Sequence, residues 1–248
     1  MLKVDLHLHT SEDPADWIRH SAADLIDRAA ELGYHALAIT LHDAQLEDVR
    51  LRDRARDRGI ILIPGVERTI QGRHVLLLNF RASESMGVSS FADLARAKRG
   101  TDGLVIAPHP FFPGRSCLQQ MLDAQAQLFD AVEWSYFWTR AVDFNTRAAQ
   151  WAAAHGLPLV GNSDMHDIQQ IGRTYTLVDA EPNPAAICEA VRQGRVDVRT
   201  EPVPYIELAP VFSGIMVRGW IRTQFKHRQR GDRLRAHARP ALRVPDPS

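Results

Sequence analysis

The sequence has very little cysteine. Cys117 and Cys188 are the only two, and they stand apart without the paired spacing of a zinc ribbon, an iron–sulfur cluster or a disulfide-stapled domain. Long hydrophobic runs are missing too; none approaches the ~18–20 residues that cross a bilayer. The amino terminus, Met1-Leu2-Lys3-Val4, enters a patterned segment at once, with no apolar signal region. These absences together predict a cytoplasmic protein. There is no net charge, with 30 basic and 30 acidic residues, so the chain as a whole does not steer toward polyanions or polycations. A Gly-x-Ser-x-Gly elbow and a cysteine-nucleophile signature are both lacking, which removes the usual signals of covalent hydrolases.

What is present suits one barrel-sized soluble domain. The chain has 248 residues, 45% of them apolar and 24% charged. Short apolar runs alternate with amphipathic segments up to about residue 200. Ser21 opens a helix that Gly33 closes, and helices are expected over 44–58, from Ser89 to about Arg99, over 116–129 and over 142–155. Asn183-Pro184 opens another that ends near Gly194. Regular strand–helix–strand spacing predicts βαβ units and an α/β fold with a largely parallel sheet.

The chemistry is concentrated at the strand ends. Leu2 to His9 alternates, so His7 and His9 point to one face of a strand. Paired imidazoles serve no packing purpose, but they suit a divalent metal. Later apolar runs end in the same residue types: Ala36–Thr40 before His42-Asp43, Ile60–Val66 before Glu67, Leu104–Pro108 before His109, and Leu157–Ser163 before Asp164-Met165-His166. His74 instead begins its run. In α/β folds the carboxyl edge of the sheet is where ligands bind. His20, His35, His155, His227 and His237 fall outside this pattern and are read as caps or surface residues. Tyr34, Phe91 and Trp151 are read as packing aromatics, and Phe111-Phe112-Pro113 as an apolar wall for a base or a closure of the barrel top.

The motifs Asp5-Leu-His-Leu-His-Thr10, Ile39-Thr-Leu-His-Asp43, Pro64-Gly-Val-Glu67, His74, Pro108-His-Pro110 and Gly161-Asn-Ser-Asp-Met-His166 resemble, in order and spacing, those of the polymerase-and-histidinol-phosphatase (PHP) family. The likeness covers about residues 1–200 and is closest to short stand-alone members. It implies a distorted (β/α)7 TIM-like barrel, two or three divalent transition metals (Zn, Mn or Fe) and hydrolysis of small phosphomonoesters or nucleotides by a metal-bound hydroxide. By the same resemblance His7, His9, Glu67 and Asp164 hold a first metal. Glu67, which bridges, His74 and His109 hold a second, and Asp13, His42 and His166 a third. Glu67, Asp164 and His166 are thus the expected catalytic residues. Two departures bear on the third metal. Leu41 stands where the family usually has Asp, and among Glu12, Asp13 and Asp16 the register favours Asp13 by a shift of about one residue. Arg115 and Arg140, which follow strand ends, are candidates for binding phosphate oxygens. Glu133 and Trp134 receive no catalytic role.

Residues 211–248 differ in charge, with nine basic residues against Asp232 and Asp246, a net +7 that leaves −7 on residues 1–210. Arg218, Arg222 and Lys226 form one helical stripe beside Met216, Val217, Trp220, Ile221 and Phe225. The chain therefore divides into a barrel over 1–210 and a basic amphipathic helix with a mobile tail over 211–248. The apolar side of that helix predicts docking on the barrel or on a second copy in a homo-oligomer. Its basic side makes nucleic acid a partner and a nuclease the alternative function. A catalytically silent binding module is the third reading, opposed by how many metal-type residues are kept.

Overall fold

The computed structural model describes residues 1–204. The domain boundary expected at residue 210, the basic helix and the tail lie outside the described residues. In chain order the strands are β1 (Leu2–Leu8), β2 (Ala36–Ile39), β3 (Ile61–Ile70), β4 (Arg73–Leu78), β5 (Leu104–Ala107), β6 (Ala131–Ser135), β7 (Leu159–Asn162), β8 (Thr174–Val178) and β9 (Val196–Thr200). The helices are α1 (Ala22–Glu31), α2 (Val49–Asp57), α3 (Ala82–Met86), α4 (Phe91–Ala97), α5 (Gln120–Ala124), α6 (Asn145–Ala154) and α7 (Pro184–Arg192). No helix among the described residues is long and apolar enough to cross a membrane.

One mixed sheet runs β7-β6-β5-β4-β3-β2-β1-β8-β9. The pairs β1–β2, β2–β3, β5–β6 and β6–β7 are parallel, as the buried apolar runs predict. The antiparallel members depart from uniform βα repetition. β3 and β4 form a hairpin whose turn residues, Gln71 and Gly72, both have positive φ, the two-residue turn that matches strand twist. β4–β5, β1–β8 and β8–β9 are antiparallel as well. The α/β class therefore holds, in a nearly closed barrel of nine strands rather than seven equal units.

Side chains bring the edge strand β7 back to β1 and β8. Asn162 Oδ1 accepts the Leu6 amide at 3.0 Å, the Gly161 amide donates to Thr176 Oγ1 at 2.8 Å, and that hydroxyl donates to the Gly161 carbonyl at 3.0 Å. Past the strand ends, the His9 amide reaches the Met165 carbonyl. Val4, Leu6, Ala36, Ala38, Ile63, Leu76, Leu78, Ile106, Val160 and Val178 form one cluster with Ile187, Cys188, Ala190 and Val191 of α7. Leu8 instead packs with α1. The change of face coincides with a register shift between Asp5 and Leu8, a bulge-type irregularity that simple alternation does not foresee.

The helix ends follow their caps. Ser21 and Asp24 form the capping box of α1, and Asn183 caps α7 with Pro184 in its first turn. The helix expected over 44–58 begins only after the Asp48 cap, and that over 116–129 contracts to α5 and a 3-10 turn at Ala126–Leu128. Asp48 offers its side chain to the Arg50 amide, which favours a start there over a longer helix.

Gly161 tests the closure. A Cβ there would lie 2.7 Å from Val198 Cγ1 and 3.0 Å from the Tyr175 carbonyl oxygen, and the latter belongs to the sheet. Gly161→Ala is expected to destabilise the protein by about 1–3 kcal/mol, the usual cost of overpacking. Urea unfolding should show a lower midpoint with an unchanged slope.

Candidate metal centre

The metal-type residues converge at one rim of the barrel. His7 and His9 come from the end of β1, His42 from beyond β2, His109 from beyond β5, and Asp164 and His166 from beyond β7. Glu67 lies within β3, where His42 pairs with it in a parallel bridge. His74 reaches the same rim from the start of β4 because β4 is antiparallel. His109 and Asp164 have positive φ, a conformation uncommon for residues with a Cβ and frequent at functional turns.

The first expected set comes together. His7 Nε2 and His9 Nε2 are 3.1 Å apart. Glu67 Oε2 lies 3.5 Å from the former and 3.4 Å from the latter, and Asp164 Oδ1 lies 3.4 and 3.5 Å from them. A tetrahedral ion with bonds of 2.0–2.1 Å requires ligand–ligand edges of about 3.3–3.4 Å. His7, His9 and Asp164 thus group closely enough to hold one ion, and Glu67 stands on the imidazoles while also grouping with His42 and His74. Glu67 turns its other oxygen to the second set, with Oε1 2.7 Å from His74 Nδ1 and 3.3 Å from His109 Nε2. One carboxylate therefore faces both sets, as a bridging role requires.

The third expected set is not assembled as a unit. His42 Nε2 points at Glu67 Oε2, 3.1 Å away. Asp13 Oδ2 contacts His42 Nδ1 at 3.0 Å and His9 Nδ1 at 2.9 Å, and it accepts the His42 amide. Its partner is not His166, whose Nε2 lies 3.1 Å from Asp16 Oδ2. Asp13 thus stands behind two imidazoles, and Asp16 takes the position beside His166 that the sequence reading gave to Asp13. Loop 10–20 decides this by turning on Asp13, whose Oδ1 accepts the Ala15 and Asp16 amides.

Groups behind the imidazoles fix their tautomers. Glu133 is buried; its Oε1 contacts His7 Nδ1 at 2.8 Å and accepts from Asn162 Nδ2 at 2.9 Å, and its Oε2 accepts the His109 amide at 2.7 Å. Its place in the apolar run Ala131–Ser135 was the sequence signal, a carboxylate where a core residue would be expected. Cys117 Sγ lies 3.4 Å from His109 Nδ1. With Nδ1 of His7 and His9 donating to carboxylates, both Nε2 atoms present lone pairs to one another.

Protonation answers this crowding. Burial disfavours the His7 cation, but Asp164, Glu133 and Glu67 outweigh it and raise the pKa well above the ordinary value. His42 is likewise raised, to about 9, burial being overcome by Glu67 and Asp13, and His109 is raised against burial by Cys117 and Glu67. Burial and the neighbouring His166 push His9 down. Burial would raise Glu67 and Asp164, yet the surrounding imidazoles hold both below the usual carboxylate range.

The remaining candidates fall into place. Arg115 and Arg140 are exposed on the loops after β5 and β6, and neither guanidinium has an ion-pair partner among the described residues. His20 Nε2 lies 2.9 Å from the His9 carbonyl oxygen, His35 Nδ1 meets the Lys3 amide, and His155 stacks on Trp151.

A family model described as PHP-associated matches residues 143–196, from just before α6 to the start of β9. A two-domain protein from Bacteroides vulgatus, containing a predicted PHP-like metal-dependent phosphoesterase, superposes with a TM-score of 0.63 at 23% identity, covering 81% of this chain and 65% of that one. The chain is thus similar to PHP-like proteins in fold and, over residues 143–196, in sequence. Other solved structures share this fold. PsfC from Pseudomonas syringae matches at 16% identity and a TM-score of 0.60, over 90% of this chain and 98% of its own. The lesion-specific endonuclease EndoQ from Pyrococcus furiosus matches at 18% and 0.54, over 79% and 57%. No curated protein matches the sequence.

Two measurements test this centre. Asp13→Asn and Glu133→Gln should each weaken divalent-metal affinity about 10- to 100-fold without unfolding the protein, the usual effect of losing a group behind a ligand. Titration calorimetry on folded variants checks this, and unchanged affinity would assign both carboxylates to packing alone. Because His7, His42 and His109 hold protons above the ordinary histidine range, ions must displace them. Metal loading at neutral pH should therefore release protons, and affinity should fall as pH drops. Calorimetry in buffers of differing ionisation enthalpy reads the proton count.

Proposed function

We propose that this chain hydrolyses small phosphate esters, phosphomonoesters or nucleotides, with two or three divalent transition metals (Zn, Mn or Fe) at the rim. The observation that carries this reading is the approach of Glu67 Oε2 and Asp164 Oδ1, each within 3.4–3.5 Å of both His7 Nε2 and His9 Nε2, which are themselves 3.1 Å apart. Four acceptor atoms facing one another in a largely buried volume repel unless cations lie among them. The imidazole–carboxylate donor set suits Zn, Mn or Fe better than Mg. Bound ions would neutralise the ester's charge and lower the pKa of a coordinated water.

Each side chain then has a defined task. His7, His9, Glu67 and Asp164 would hold one ion, and Glu67, His74 and His109 a second, with Glu67 fixing their separation. A third would fall to His166 with Asp16, now the nearer carboxylate. The open side is marked by Asp164 and His166, whose side chains are 22% and 18% exposed, whereas those of His7 and His9 are sealed. The ester enters there. Arg115 and Arg140 are free to grip its non-bridging oxygens through their planar forks. All these residues belong to the 1–210 portion. A nuclease is the second reading, favoured by the net +7 of residues 211–248.

Glu67→Gln should lower metal content and phosphatase turnover together, by about 100-fold. Full activity in that variant would sink the bridging assignment. Arg115→Ala and Arg140→Ala should raise KM more than they lower kcat. On the nuclease reading, polynucleotide affinity should fall steeply with salt. A gel-shift series across salt concentrations decides between the two substrates.

A further inference from the structure

Trp17 is 70% exposed, more than any other large apolar side chain among the described residues. Exposed indole is uncommon without a use, because it forgoes a large apolar burial. The loop that carries it is braced at both ends. The Ser11 amide donates to the His20 carbonyl, Glu12 accepts the Ala22 amide at the start of α1, and His20 Nε2 meets the His9 carbonyl oxygen. Ile18, the next residue, is buried. Trp17 is thus presented outward from a fixed support. The Arg19 guanidinium lies 5.3 Å from the ring centroid, over one face, which leaves the other open.

The position relates Trp17 to the reaction. Its chain neighbour Asp16 contacts His166, which stacks on His9, so Trp17 belongs to the loop that borders the centre. The loop carries Glu12, Asp13 and Asp16, which are engaged with the Ala22 amide, His9 and His42, and His166, beside the basic Arg19. Arg115 and Arg140, whose guanidiniums have no ion-pair partner among the described residues, follow β5 and β6, on the side of His109 and Glu133. A substrate with its phosphate at the metal-type residues would put its oxygens toward those arginines and an uncharged ring toward the Trp17 loop.

Building on the phosphoesterase reading, we propose that Trp17 is a stacking platform that makes this site specific for phosphate esters carrying a planar aromatic ring, such as a nucleobase. Stacking tolerates any base, since every base has a π-face. Selection is therefore for a ring near the phosphate and against bare sugar phosphates.

The test uses the full chain reconstituted with Zn²⁺. Its intrinsic fluorescence is titrated with adenosine 5′-phosphorothioate and, in parallel, with ribose 5-phosphate. The adenosine probe is expected to bind about 5- to 150-fold more tightly, the range that one stacked base supplies. Trp17→Ala should remove that preference, with ribose 5-phosphate affinity, metal content and circular dichroism unchanged. Trp17→Phe should restore most of it. Equal affinity for the two probes, or a preference that survives in Trp17→Ala, would overturn the platform while leaving the phosphoesterase reading standing. Failure of both probes to bind, with no hydrolysis of any phosphate ester, would overturn both.

Discussion

The controlling constraint is the mutual repulsion of lone pairs gathered in a space closed to water. Glu67 and Asp164 aim acceptor atoms at the facing Nε2 atoms of His7 and His9, and the two imidazoles are sealed from solvent. Such an arrangement survives only if protons or cations occupy it. The side chains behind the imidazoles follow from that need. Glu133 and Asp13 commit the Nδ1 atoms of His7 and His9, which turns both Nε2 lone pairs inward. The raised pKa values of His7 and His42 beside depressed carboxylates are the proton-filled form of the same arrangement.

The barrel holds this unfavourable grouping by distributing its members over elements that cannot separate. Asn162 ties the Leu6 amide to the Glu133 carboxylate, so one β7 side chain joins β1, β6 and the imidazole of His7. Thr176 binds β7 to β8. At the other end α7 packs among the inward apolar residues, where burial pushes the Cys188 thiol up to about 12 and keeps it inert. The apolar packing stabilises one end of the barrel, and the cost of crowded polar groups is borne at the other.

Charge is divided across the rim as well. Glu12, Asp13 and Asp16 share the loop that follows β1, while Arg115 and Arg140 extend from the loops after β5 and β6. Phe112 lies against His109 and Phe144 on that second side, so the Phe111-Phe112-Pro113 run borders the rim.

The sequence by itself determined the α/β class, the caps at Ser21 and Asn183, and which strand ends carry metal-type residues, because these depend on local patterning and residue type. It placed His7 and His9 on one face through the period of two. Residues close in sequence but ambiguous in direction were a different matter. Asp13 and Asp16 are three positions apart, and only the turn of the loop decides that one backs His9 and His42 while the other meets His166. Glu133 had no role by sequence until Asn162 and His7, from two other strands, supplied its partners. The register shift in β1 and the antiparallel course of β4 likewise arise from pairing between distant segments. Periodicity records which side of its own strand a residue takes, whereas a site is defined by what other strands bring opposite, and that information exists only after the sheet has closed.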